Sequence, residues 1–211
     1  MKIAYQLSLV ICLLLSVQAC TQSKIAVDNI EQAPKVQDAD KAYADVYKAL
    51  DGQWKGQFYI YNDTSLVAKD GNILNDISLS SLQRPSLKKA NVIEVEQVYS
   101  SDSPYFQKVE ITDFYPEKNE RIKSVGVNKV QDGKMWCVVH KPDDTVIHEG
   151  STDGPETIIW QRNEQSPQRI EYFRETVRAD SYTIIGWGYY EGDDPTLMPK
   201  YWFFGDYKRV K

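Results

Sequence analysis

From Gln53 to Val210 the chain is cut into roughly ten short stretches of strand-forming residues, separated by turn signals at hairpin spacing, with no helical pattern between them. Residues 54–61 run Trp-Lys-Gly-Gln-Phe-Tyr-Ile-Tyr and stop at Asn62-Asp63. Residues 92–99 alternate, with Ile93, Val95 and Tyr99 on one face and Glu94 and Glu96 on the other. Residues 121–130 meet residues 134–141 across Gln131-Asp132-Gly133, a hairpin signal. Further strands are expected at 73–82, 105–115, 145–149, 157–161, 169–177, 182–190 and 201–210. Strands this short and this closely spaced pair with their neighbours in the chain. The expected fold is therefore mainly β, an antiparallel up-and-down β-barrel of about 8–10 strands, with a sandwich as the other arrangement of the same pattern. A parallel sheet needs crossover helices, and the sequence has none between the strands. Charges fall within many of the strands, which argues against a lipid-facing barrel.

Before the strands, residues 38–50 carry helical spacing in Ala39, Ala42, Tyr43, Val46, Tyr47 and Leu50, and Asp51-Gly52 ends the run. A short N-terminal helix is expected there. Residues 21–37 are mostly polar and read as a flexible tether.

The start of the chain has the order of an export signal. Lys2 is followed by an apolar run over residues 7–15, too short for an ordinary spanning helix, and then by Val17-Gln18-Ala19-Cys20. That last tetrapeptide resembles the bacterial lipobox. The resemblance implies cleavage before Cys20, acylation of the thiol with diacylglycerol and then of the new amine (palmitate-type chains), and attachment to a membrane through these lipids. Thr21 rather than Asp follows, which by the same resemblance implies an outer-membrane lipoprotein of the cell envelope facing the periplasm. The chain then divides into a signal peptide (1–19), a lipidated cysteine with tether (20–37) and a barrel domain (38–211).

Leu50-Asp51-Gly52-Gln53-Trp54 stands where helix gives way to first strand. It resembles the Gly-x-Trp opening of the lipocalin-like, or calycin, barrels. In that superfamily the Trp closes one end of the barrel, and an Arg or Lys of the last strand packs over its ring. The resemblance implies that Trp54 is met by Arg209, or failing that by Lys208.

Charge and composition exclude more than they assign. The net charge of -5 argues against general nucleic-acid binding, which needs clustered cations on the phosphate backbone, so no nucleic-acid partner is expected. Cys137 stands alone in the barrel region and reads as a buried small hydrophobe. His140 and His148 are the two histidines, on successive expected strands where they could approach each other. They lack the further ligands that a metal or haem needs, so no metal and no cofactor is expected. No nucleophile–base pattern and no glycine-rich phosphate loop is present.

The aromatics offer the richest candidate surface. Tyr99, Tyr172, Trp187 and Tyr189 lie in expected strands, with Arg174 on the strand face of Tyr172. As a wall with one cation, these five residues would hold a small hydrophobic or amphipathic ligand and orient a carboxylate. Arg169, Glu171 and Glu175 read as a solvated face. The expected function is a membrane-anchored ligand-binding barrel. An envelope assembly factor acting through protein contacts is the alternative, and a pigment- or ligand-modifying enzyme the weaker one, since the sequence names no catalytic residue.

Overall fold

The computed structural model describes residues 25–211, and the expected export signal and Cys20 fall outside them. Ten strands form one closed antiparallel barrel: β1 Gly52–Asp63, β2 Leu87–Ser103, β3 Phe106–Tyr115, β4 Glu120–Gln131, β5 Lys134–His140, β6 Thr145–Thr152, β7 Thr157–Gln165, β8 Gln168–Val177, β9 Ser181–Tyr190 and β10 Tyr201–Arg209. Each pairs with its neighbours in sequence, and β1 pairs with β10. Closure leaves no edge strand, so every ladder is satisfied. The Asp132-Gly133 turn has φ of +57° and +70°, the twist a two-residue hairpin requires.

Alternate residues face inward. Gly56, Phe58 and Ile60 of β1 oppose Tyr207, Gly205 and Phe203 of β10, and Trp160 of β7 opposes Phe173 of β8. Trp54, Tyr99, Val109, Met135, Trp160, Tyr182 and Tyr207 belong to this buried interior.

The helix expected over residues 38–50 forms instead as two short 3-10 turns, Asp38–Tyr43 and Lys48–Leu50. Between them Asp45 takes a left-handed φ of +60°, which breaks the run. The break lets Tyr47 and Leu50 enter the barrel end as a plug. Both are buried, Tyr47 stacks on Trp160 at 6.2 Å, and its hydroxyl donates to the Lys129 carbonyl at 2.9 Å. Asp40, also buried, accepts from the Gly133 amide at 2.7 Å and so fastens the plug to the β4–β5 turn.

The strand expected at 73–82 is likewise absent. Residues there form a one-turn helix α1, Gly71–Asn75, and a 3-10 turn, Leu79–Gln83. Capping decides it: the Asp70 carboxylate accepts from the Asn72 amide, and the Ser78 and Ser81 side chains cap the second turn reciprocally. Leu74 and Ile77 then pack on the outer wall of β8–β10.

Residues 25–37 lie along the barrel rather than extending from it. Val27 and Ile30 pack on Phe106, Val127 and Val138, and the buried Lys129 ammonium donates to the carbonyls of Asn29 (2.8 Å) and Ala26 (3.4 Å).

Candidate functional site

The barrel interior is not filled. Above the plug a cavity of about 190 Å³ opens between Phe58, Gln97, Tyr99, Asn128, Cys137, Trp160, Phe173, Glu175, Tyr182 and Ile184, with Lys141, Val146 and His148 along the rest of its wall. Its surface is mostly apolar with a few polar atoms, the usual make-up of a small-molecule site.

Two carboxylates on the inner face of β8 have opposite environments. Burial alone would raise Glu171, yet it is held below the usual carboxylate range by His148 at 3.1 Å, the Tyr190 hydroxyl at 2.7 Å and the Arg162 charge at 3.8 Å. Arg162 also meets Glu164 at 2.9 Å and Asp144 at 3.9 Å, and Asp144 pairs with Arg169. This ionic layer lies toward the upper end of β7 and β8.

Glu175 lies four residues further along the same face, where the surroundings are aromatic. Burial pushes its carboxyl up to about 7, against hydrogen bonds from Trp160 and Tyr182 that favour the anion. Desolvation outweighs them because no cation pairs with it among the described residues. Burial also raises the hydroxyls of Tyr99 and Tyr182 and the Cys137 thiol, so these groups stay neutral at ordinary pH. Cys137 faces the cavity from β5 as a small apolar lining residue, not a nucleophile.

Of the five residues expected to bind ligand, the structure places one in the cavity. Tyr99 lines it, its hydroxyl donating to Gln97 at 3.1 Å. Tyr172, Arg174, Trp187 and Tyr189 face outward instead. Tyr172 and Trp187 stack at 5.6 Å under Leu74 and Ile77, the Trp187 indole donates to the Leu74 carbonyl at 3.2 Å, and Tyr189 donates to the Leu197 carbonyl at 2.6 Å. Arg174 pairs with Asp153 at 2.6 Å. These aromatics anchor the cover formed by residues 64–86 and the β9–β10 loop. Glu171 and Glu175, expected on a solvated face, point inward.

His140 and His148 do sit on successive strands but face opposite sides of the wall. His140 meets the Asp28 carbonyl outside, and His148 faces the interior beside Phe173. Among the described residues no three His, Cys, Asp or Glu side chains come together as metal ligands. Cys20 lies outside the described residues.

At the plugged end, Trp54 is fully buried, and Arg209 lies over its ring with 4.1 Å between guanidinium carbon and centroid. The Trp54 indole donates to the Leu50 carbonyl at 2.7 Å. Arg209 also donates to the carbonyls of Asp51, Ala49 (2.9 Å) and Ala179 (2.7 Å), tying plug, first strand and the β8–β9 turn together.

No protein-family model matches the chain, and no curated protein matches it. Among solved structures it is similar to a redesigned β-barrel, at 10% identity and a TM-score of 0.38, over 80% of this chain and 97% of that one.

Proposed function

We propose that this chain is a lipid-anchored envelope protein whose barrel binds one small amphipathic molecule in its interior. The observation that carries the reading is the cavity of about 190 Å³, walled by the rings of Phe58, Tyr99, Trp160, Phe173 and Tyr182 with a few polar side chains among them. A side-chain-filled barrel would give no such space. The volume fits a compact ligand, since roughly 150 Å³ of apolar cavity accommodates benzene. The lipobox-like Val17-Gln18-Ala19-Cys20 supports the anchor, and with Thr21 it supports an outer-membrane location facing the periplasm. The Arg209–Trp54 packing beside Gly52 supports a calycin-like kinship. Toluene titrated into the full-length protein should bind with saturation. Ile184→Trp, which places a large ring in the cavity wall, should abolish that binding, and a barrel that takes up no small apolar probe would overturn the reading. Alkyne-palmitate fed to expressing cells should label the protein and not its Cys20→Ala variant.

Glu175 supplies one observation for an enzymatic reading, because a carboxyl poised near 7 in a cavity suits general acid–base work. Its companion is missing. Glu171 lies four residues along the strand, roughly 13 Å away, beyond the reach of two carboxylates acting on one bond. Binding is therefore the function the geometry supports best.

A further inference from the structure

The interior carries its charges unevenly. Glu171 is surrounded by donors, while Glu175 faces the cavity with no cation beside it. Around Glu175 the wall presents the faces and edges of Phe58, Tyr99, Trp160, Phe173 and Tyr182, contributed by five different strands. An unpaired carboxylate in an apolar pocket is costly, and the cost is removed by a ligand that brings the opposite charge. Aromatic faces attract that same charge through their quadrupoles, and more strongly when water is excluded. A carboxylate ligand would meet Glu175 as a like charge. A purely apolar one would leave it unpaired. Both arguments select one chemistry.

We propose that the cavity takes a small organic cation, an ammonium on a single ring or short aliphatic body, with its charge against Glu175 and its body between Phe58, Trp160 and Phe173. The proposal rests on the cavity-binding function above and adds the ligand's charge and the residue that reads it. The volume of about 190 Å³ limits the ligand to one ring with a short arm.

Other ionisable groups facing this space do not compete for the role. Tyr99 of β2, Tyr182 of β9, Tyr207 of β10 and Cys137 of β5 are all raised by burial and stay neutral. Lys141, just past β5, lines the cavity but acts on Asp113 of β3, itself raised by burial, and is not among the groups that shift Glu175. His148 of β6 is bonded to Glu171.

The test titrates purified full-length protein with benzylamine, toluene and benzoate at about pH 8, where Glu175 is ionised. Benzylamine should bind at least about tenfold tighter than toluene, and benzoate should bind more weakly than either. Glu175→Gln should remove the preference, so that in the variant benzylamine binds no tighter than toluene. Because that variant alters a buried site, the wild type gives a second measurement. Lowering the pH to about 5.5 should weaken benzylamine and leave toluene unchanged as Glu175 takes up a proton. Toluene binding with no preference for benzylamine, a preference for benzoate, or a benzylamine affinity indifferent to Glu175→Gln would overturn the cation site and leave the cavity-binding function standing. Failure of all three probes to bind would remove both.

Discussion

Arg209 closes the barrel over Trp54: the guanidinium carbon is 4.1 Å from the ring centroid, and the two residues are direct partners in the β1–β10 ladder. Trp54 begins the first strand and Arg209 ends the last, so antiparallel closure alone sets them side by side. Trp54→Ala removes a fully buried ring and should cost about 3–5 kcal/mol. Arg209→Ala should cost about 1 kcal/mol from the cation–ring contact, with more from the plug carbonyls left without a donor. Lysine at 209 retains the charge but not the planar fork, so it should recover only part of the loss. Urea denaturation of the three variants checks the order. Equal losses for Trp54→Ala and Arg209→Ala would contradict it.

Gly52 makes that closure possible. Its φ is +114°, and a Cβ placed there would lie 2.8 Å from an Arg209 nitrogen. Gly52→Ala therefore combines backbone strain with displacement of the guanidinium and should destabilise by about 1–3 kcal/mol. In an Arg209→Ala background the steric part disappears. The same substitution should then cost measurably less, a non-additivity that a double-mutant cycle in denaturant reads directly.

The barrel was legible in the sequence because its strands are joined by short turns with recognisable chemistry, such as Asp132-Gly133. Once the strands pair in order, the meeting of β1 and β10 follows. The facing of the strands was harder to read. In β8, Arg169, Glu171 and Glu175 share a face with Phe173, while Tyr172 and Arg174 share the other, so neither face is apolar or polar as a whole. The outer face of β8–β10 is buried because residues 64–86 fold back over it, and period-2 alternation cannot register a cover supplied by a distant segment. Within it, residues 73–82 carry a strand-like pattern yet fold as short helical turns. Ile73, Leu74, Ile77 and Leu82 have the composition of a strand, and the caps at Asp70 and Ser78 settled the matter. The cavity depends on which rings fail to fill the interior, a question of summed volumes that no local pattern encodes.

The outer aromatic cluster holds the cover and does not touch the cavity. Trp187→Phe removes the indole donor to the Leu74 carbonyl and should loosen residues 70–86, costing about 1–2 kcal/mol. Amide exchange in that segment should quicken, and toluene affinity should stay within about twofold of wild type. A large loss of affinity would place Trp187 functionally inside the barrel, against the facing described above.

Glu175 should leave a signature in the pH dependence of stability. Its carboxyl is raised from 4.5 to about 7 in the folded protein, so between those values the native state holds a proton that the unfolded chain releases. Stability therefore falls as pH rises through this window, opposite to the carboxylates held low, such as Glu171 and Asp63, whose contribution is lost only as pH falls through their lower range. The cost above the window is at most about 3 kcal/mol, reduced by any screening from water in the cavity. Glu175→Gln keeps the shape and removes the charge. The variant should thus melt higher than wild type at about pH 8 and show a much smaller advantage at about pH 5, with each kcal/mol worth about 2–4 °C in a domain of this size. Calorimetric melting temperatures of both proteins at the two pH values give the comparison, and the wild type minus variant difference cancels every other titrating group. A difference that does not change with pH would mean that Glu175 is ionised as readily inside the barrel as in water, and the unpaired charge on which the cation site depends would not exist.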